Sequence, residues 1–189
     1  MRTTTALATP TPARARSVTR ELAATPQQIF AVLRDPARHA ALDGSGMLRG
    51  HPDGPAPLGP GDRFGMAMAQ AGVAYRSVNV VVEYAPDRLI AWETWGEFRG
   101  RRLVGGQRWR FALHELSAGD GSRPARTRVT HTYDWSRARL PRLTIELPGY
   151  PRRMVPAMAT TLDRLAVAVE ARPAGSGPAA GPAARAGDR

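Results

Sequence analysis

Residues 25–46 read TPQQIFAVLRDPARHAALDGSG, and the reading of this stretch decides the fold. Thr25 is an N-cap residue, Pro26 suits the first helical position, and Gln28 stands at N3, where it completes a capping box. Ile29, Phe30 and Leu33 form one apolar stripe, and Asp35-Pro36 ends that helix while capping a second one. Residues 17–23 alternate as a strand does, so the opening unit is a strand, two small helices and the turn Gly44-Ser45-Gly46.

Downstream the period changes to two. Residues 44–50 are a turn or short second strand, and the four prolines of residues 51–60 forbid regular structure there. Phe64, Met66 and Met68 share one face of a strand; Val78, Val80, Val82 and Tyr84 share a face of the next, with Glu83 opposite. Ile90, Trp92 and Thr94 continue the pattern up to a glycine-interrupted loop at residues 96–106. Trp109, Phe111 and Leu113 lie inward, with Arg108, Arg110 and His114 on the wet side. Val129, His131 and Tyr133 are the inward set of the last strand. Such alternation marks an antiparallel sheet open to water on one face. Met154, Met158, Leu162, Leu165 and Val169 then recur at helical spacing, which predicts a C-terminal helix of about 15–18 residues that starts near Arg153 or Val155 and holds Pro156 in its first turn.

Composition bounds the rest. Residues 1–14 and 172–189 are low-complexity tails expected to be disordered, leaving one domain over residues 15–171. The net charge is +11, yet all 27 basic residues are Arg, and residues 17–171 carry only +6. With the Ala, Gly and Pro excess this reads as codon bias, and nucleic acid is not expected as a partner. No cysteine is present, which removes thiol chemistry and disulfides. No segment has the roughly 18 apolar residues of a membrane span, so a cytoplasmic location is expected.

The order of these pieces resembles the START-like, or SRPBCC, superfamily and within it the polyketide cyclase/dehydrase and lipid-transport group. The carriers are Ala24-Thr25-Pro26 with Ile29-Phe30 and Asp35-Pro36, then residues 61–66 (GDRFGM), Val81-Val82-Glu83-Tyr84, Ile90-Ala91-Trp92, Arg108-Trp109, and Thr127-Arg128-Val129-Thr130 leading to Tyr133-Asp134. The resemblance implies an α+β helix-grip: a curved antiparallel sheet of six or seven strands wrapped around a long C-terminal helix, with an apolar cavity between them. The two short helices would close one end. It also implies a lipid, polyketide or aromatic ligand, with cyclase, aromatase or dehydratase chemistry in some members.

The candidate ligand-binding residues are Phe64, Met66, Met68, Trp92, Trp109, Phe111, His131, Tyr133, Met154 and Met158, rings and thioethers suited to a flat hydrophobic guest. Among the histidines only His131 falls on an inward face; with Tyr133 it is the candidate catalytic pair, against the plainer reading of a hydrogen-bonded core residue. No His-rich or acidic spacing suggests a metal, and no glycine loop suggests a nucleotide cofactor, so none is expected. Glu83 and Glu93 are expected on the wet face beside arginines, a surface that could instead serve a regulatory partner. Residues 137–153, with Leu140, Leu143, Ile145 and Leu147, are expected to form a lid over the cavity mouth.

Overall fold

The structure, a computed structural model, describes residues 13–70, 72–98, 101–120 and 123–170. The tail segments 1–14 and 172–189 lie outside it except at residues 13 and 14. Arg14 already belongs to the fold: its Nε donates to Glu146 at 2.8 Å and its carbonyl accepts from the Trp135 amide at 2.9 Å.

Seven strands make one antiparallel sheet. They are β1 (Ala15–Leu22), β2 (Leu48–Asp53), β3 (Arg63–Gln70), β4 (Val73–Ala85), β5 (Leu89–Phe98), β6 (Arg101–Ser117) and β7 (Arg126–Asp134), in the order β1-β7-β6-β5-β4-β3-β2. Two short helices, α1 (Pro26–Leu33) and α2 (His39–Leu42), follow β1, and α3 (Tyr150–Glu170) ends the described chain. This is the expected α+β helix-grip. Leu162, Leu165 and Val169 of α3 pack with Ile29, Phe30 and Leu33 of α1 and with Phe64, Ile90, Phe111 and Val129 of the sheet in one core.

The opening segment folds as its residues dictate. Gln28 donates its amide to Thr25 Oγ1 at 3.2 Å, and the Thr25 amide donates to Gln28 Oε1 at 2.9 Å, a capping box worth about 1 kcal/mol. Asp35 caps the 3-10 turn Pro36–Arg38 by accepting from Ala37 at 3.1 Å. The glycine turn then lies directly on α3. A Cβ on Gly44 would stand 2.1 Å from the Ala157 carbonyl oxygen, so only glycine permits this approach, and the Gly44 amide donates to Thr161 Oγ1 at 3.0 Å. The Asp43 carboxylate holds the turn by accepting from the amides of Ser45, Met47 and Leu48.

Four local expectations are corrected. In β4 the inward side chains are Ser77, Asn79 and Val81, while Val78, Val80 and Val82 lie on the outer face. A bulge between Val81 and Glu83 shifts the register and brings Tyr84 back inward, where it meets the Phe30 ring edge-on at 5.4 Å. Strand β2 includes Pro52; because β2 is an edge strand, the missing N–H costs no ladder bond on its free side. Residues 96–98 and 101–106 extend β5 and β6 rather than forming a loop, with bulges at Thr94/Trp95 and Gly96/Glu97, and residues 99 and 100 of the expected loop lie outside the described residues. Helix α3 has 21 residues, beginning at Tyr150 with Pro151 in the first turn, and Pro156 sits inside it on an exposed side, where the carbonyl it leaves unpaired faces solvent.

On the outer face Glu83 accepts from Arg110 at 3.1 Å and Glu93 from Arg108 at 3.3 Å, the arginine pairing read from the alternation. Among the described residues no helix is long and apolar enough to cross a membrane.

Candidate functional site

Between the sheet and α3 lie two adjoining chambers. The inner one, about 110 Å3, is lined by Phe64, Met66 and Met68 from β3, Trp92 from β5, Trp109 and Phe111 from β6, His131 from β7, and Met154 and Met158 from α3. Nine of the ten candidate ligand-binding residues thus meet on one wall. The tenth, Tyr133, lines the outer chamber of about 430 Å3, together with Tyr75, Tyr150, Ile145, Val104 and Gln107. Met47, Met68, Ser77, Thr94, Trp109 and Met154 belong to both linings, so the chambers meet there. Val104 and Tyr75 are 49% and 37% exposed, which makes the outer chamber the open end.

The inner wall is a continuous run of rings. His39 stacks on Trp92 at 4.8 Å, Trp92 contacts Phe111 at 5.6 Å, and Phe111 stacks on His131 at 3.9 Å. Trp109 continues the run, 5.8 Å from His131 and 4.6 Å from Tyr133. Offset and tilted contacts of this kind add to the area buried and fix each ring's orientation.

Sequence reasoning missed two groups. The first is His39, buried at the start of α2, with Nε2 2.8 Å from the Leu33 carbonyl oxygen. A four-residue helix is too short to show a period, but His39 and Leu42 stand three apart, the spacing that puts both on one face. Burial lowers the His39 pKa, with the Leu33 hydrogen bond and Asp35 as weaker opposing influences. The second group is a polar strip on the wall: Thr94 Oγ1 donates to Asn79 Oδ1 at 2.7 Å, Asn79 Nδ2 donates to the Phe64 carbonyl at 3.3 Å, and Ser77 Oγ lies 3.5 Å from that of Met66. The hidden signal was polar residues at alternate positions of a strand otherwise rich in valine.

His131 is buried with neither ring nitrogen in hydrogen-bonding geometry with a partner. Desolvation pulls its pKa down to about 3, opposed more weakly by hydrogen bonding with the Met158 backbone that falls short of full geometry. The ring is therefore neutral at physiological pH. Tyr133 is shifted the other way, upward, by burial first and then by Tyr150, so its phenol stays protonated. Neither group is poised to exchange a proton near pH 7, since an effective acid or base has a pKa close to the working pH. Among the described residues no cluster of His, Asp and Glu could hold a metal ion.

The segment 137–153 borders the outer chamber through Thr144 and Ile145, and through Tyr150 at the start of α3. A single π-helical turn, Arg142–Glu146, places Thr144 and Ile145 there, with the Leu147 amide donating to the Arg142 carbonyl at 2.8 Å. The rest of the expected lid is otherwise: Leu140, Leu143 and Leu147 are 64%, 64% and 78% exposed and point away from the chamber. Glu146 anchors the turn, accepting from the Trp135 indole at 3.1 Å, and this bond first, then Arg14, holds its carboxyl below the usual range.

The family described as "Polyketide cyclase / dehydrase and lipid transport" matches residues 15–170. The uncharacterized protein Rv0088 of Mycobacterium tuberculosis is 33% identical over 148 residues, covering 77% of this chain and 59% of that protein. The chain therefore spans about three fifths of the curated relatives it matches. A START superfamily protein from Mycobacterium smegmatis superposes with a TM-score of 0.60 at 17% identity, covering 83% of this chain and 97% of that one. A protein from Arthrobacter aurescens gives 0.59 at 12% identity, covering 85% and 88%. At these identities the structural likeness speaks for the fold alone.

Proposed function

Because this chain belongs to the polyketide cyclase/dehydrase and lipid transport family, we propose that it binds a small hydrophobic ligand in the cavity between its sheet and α3. The observation that carries this reading is the pair of chambers walled by Trp, Phe, Met and Tyr side chains. An outer volume of about 430 Å3 falls within the usual range of small-molecule pockets, and a cavity of the inner scale suits about one ring. Methionines at the junction adapt to irregular guests. The ligand's flat portion enters between Trp109 and Met154, and its remainder occupies the outer chamber, with the cytoplasm as the place of action.

Calorimetric titration with the uncharged probe N-phenyl-1-naphthylamine tests the reading. Saturable binding with one site is expected, with loss in Met154→Trp, which fills the junction, while the circular dichroism spectrum is kept. Absence of saturable binding in the native protein would sink the proposal.

A second reading is an enzyme of the cyclase, aromatase or dehydratase kind without a metal. It draws on the placement of His131 and Tyr133, two apart on the inward face of β7, beside Trp109, where a neutral imidazole and a protonated phenol can each hydrogen bond a carbonyl. Unchanged turnover of any substrate found in the His131→Phe/Tyr133→Phe double variant would remove this reading.

A further inference from the structure

The inner chamber's polar groups are not equal. Thr94, Asn79 and Ser77 direct their side-chain polar atoms into the protein's own wall, onto one another or onto backbone carbonyls, and His39 commits Nε2 to the Leu33 carbonyl. His131 does not. Its two ring nitrogens are, among the described residues, the polar side-chain atoms of this lining that are buried without a partner in full hydrogen-bonding geometry, a weak interaction with the Met158 backbone being all they have, and the ring stacks on Phe111 beside Trp109. Buried polar groups in folded proteins are paired as a rule, and an orphan on a cavity wall marks where a guest supplies the missing partner.

The charge pattern says what that partner is. No arginine lines the inner chamber; its one charged lining residue is Asp43, an acid whose oxygens already accept from the amides of the glycine turn. An anionic group brought here would be desolvated with no cation to meet it. A neutral imidazole carries one N–H and one bare nitrogen, so a hydroxyl, which donates and accepts, can satisfy either tautomer.

We infer that the inner chamber takes an uncharged ring bearing a hydroxyl, hydrogen-bonded to the His131 imidazole, and that it rejects the corresponding carboxylate. This rests on the ligand-binding reading above and narrows it from hydrophobic compounds in general to neutral phenol-like or alcohol-bearing ones. An acid that would have to place its carboxylate in the inner chamber is thereby disfavoured, whatever its apolar area; the outer chamber, with Arg76 in its lining, is not covered by this restriction.

A matched series separates the two claims: naphthalene, 2-naphthol and 2-naphthoate, titrated at pH 7 and followed by tryptophan fluorescence. The native protein is expected to bind 2-naphthol at least tenfold more tightly than naphthalene, and 2-naphthoate more weakly than either. In His131→Phe the affinities for 2-naphthol and naphthalene should fall within threefold of one another. His131→Gln, which keeps an amide donor and acceptor, should retain most of the preference and serves if the Phe variant does not fold. Binding of naphthalene and 2-naphthol with equal affinity by the native protein, or of 2-naphthoate as tightly as 2-naphthol, overturns the inference while leaving ligand binding intact. Binding of none of the three overturns both.

Discussion

The two ends of the cavity are built on opposite terms. At the closed end, α1, α2 and the glycine turn bring Leu33, His39, Leu42 and Asp43 against the inner chamber, with side chains buried or hydrogen-bonded into the fold. At the open end, segment 137–153 contributes Thr144, Ile145 and Tyr150 to the wall but leaves Leu140, Leu143 and Leu147 in solvent. Arg137, Arg139, Arg142, Arg152 and Arg153 are exposed there, and among the described residues no ion pair holds them, whereas Arg108 and Arg110 on the sheet's outer face are paired. On the ligand-binding reading proposed above, the difference assigns selectivity to the closed end, where position is overdetermined, and leaves the open end free to vary without disturbing the fold.

Three changes would break or sharpen that contrast. The largest effect is expected at the closed end: Phe30→Ala removes a 2% exposed ring that packs against Tyr84 and should cost about 3–5 kcal/mol in denaturant unfolding. A loss below about 1 kcal/mol would mean that this end is loosely packed.

Next comes acid. His131 has a folded pKa of about 3 against an unfolded value of 6.5, so the unfolded chain takes up the proton first as pH falls. Its contribution is intact above pH 6.5 and is lost progressively between 6.5 and 3, at up to about 1.4 kcal/mol per pH unit. His39, also lowered, adds to the same slope. His131→Phe should flatten the stability profile by roughly 2 kcal/mol between pH 6.5 and 4.5; profiles of equal slope would show that the ring is not buried as described.

The smallest effect belongs to the open end. Leu147→Ser, at a 78% exposed position, should change stability by no more than about 0.5 kcal/mol. A larger loss would show that the leucines are covered in solution and erase the contrast.

How much of this was legible depends on what each signal measures. The capping box, the alternation of β3, β6 and β7 and the stripe of α3 could be read directly, because local hydrogen bonding and burial act on the same residues. The inward face of β4 could not: a rule that apolar residues point inward fails where the inside is a cavity wall needing polar groups, and the bulge at Val82 reverses the phase. His39 was hidden because four residues carry no period, although its segment was the one that revealed the fold. Nor is that segment mere scaffolding, since it supplies part of the inner wall.

The most direct measurement uses the methionines. Of the six in the chain, Met47, Met66, Met68, Met154 and Met158 line the chambers, and Met1 falls outside the described residues. With methyl-13C methionine, titration with 2-naphthol should give saturable ring-current shifts at Met66, Met154 and Met158. Shifts that fail to saturate, or that spare these three methyl groups, would contradict a ligand held between the sheet and α3.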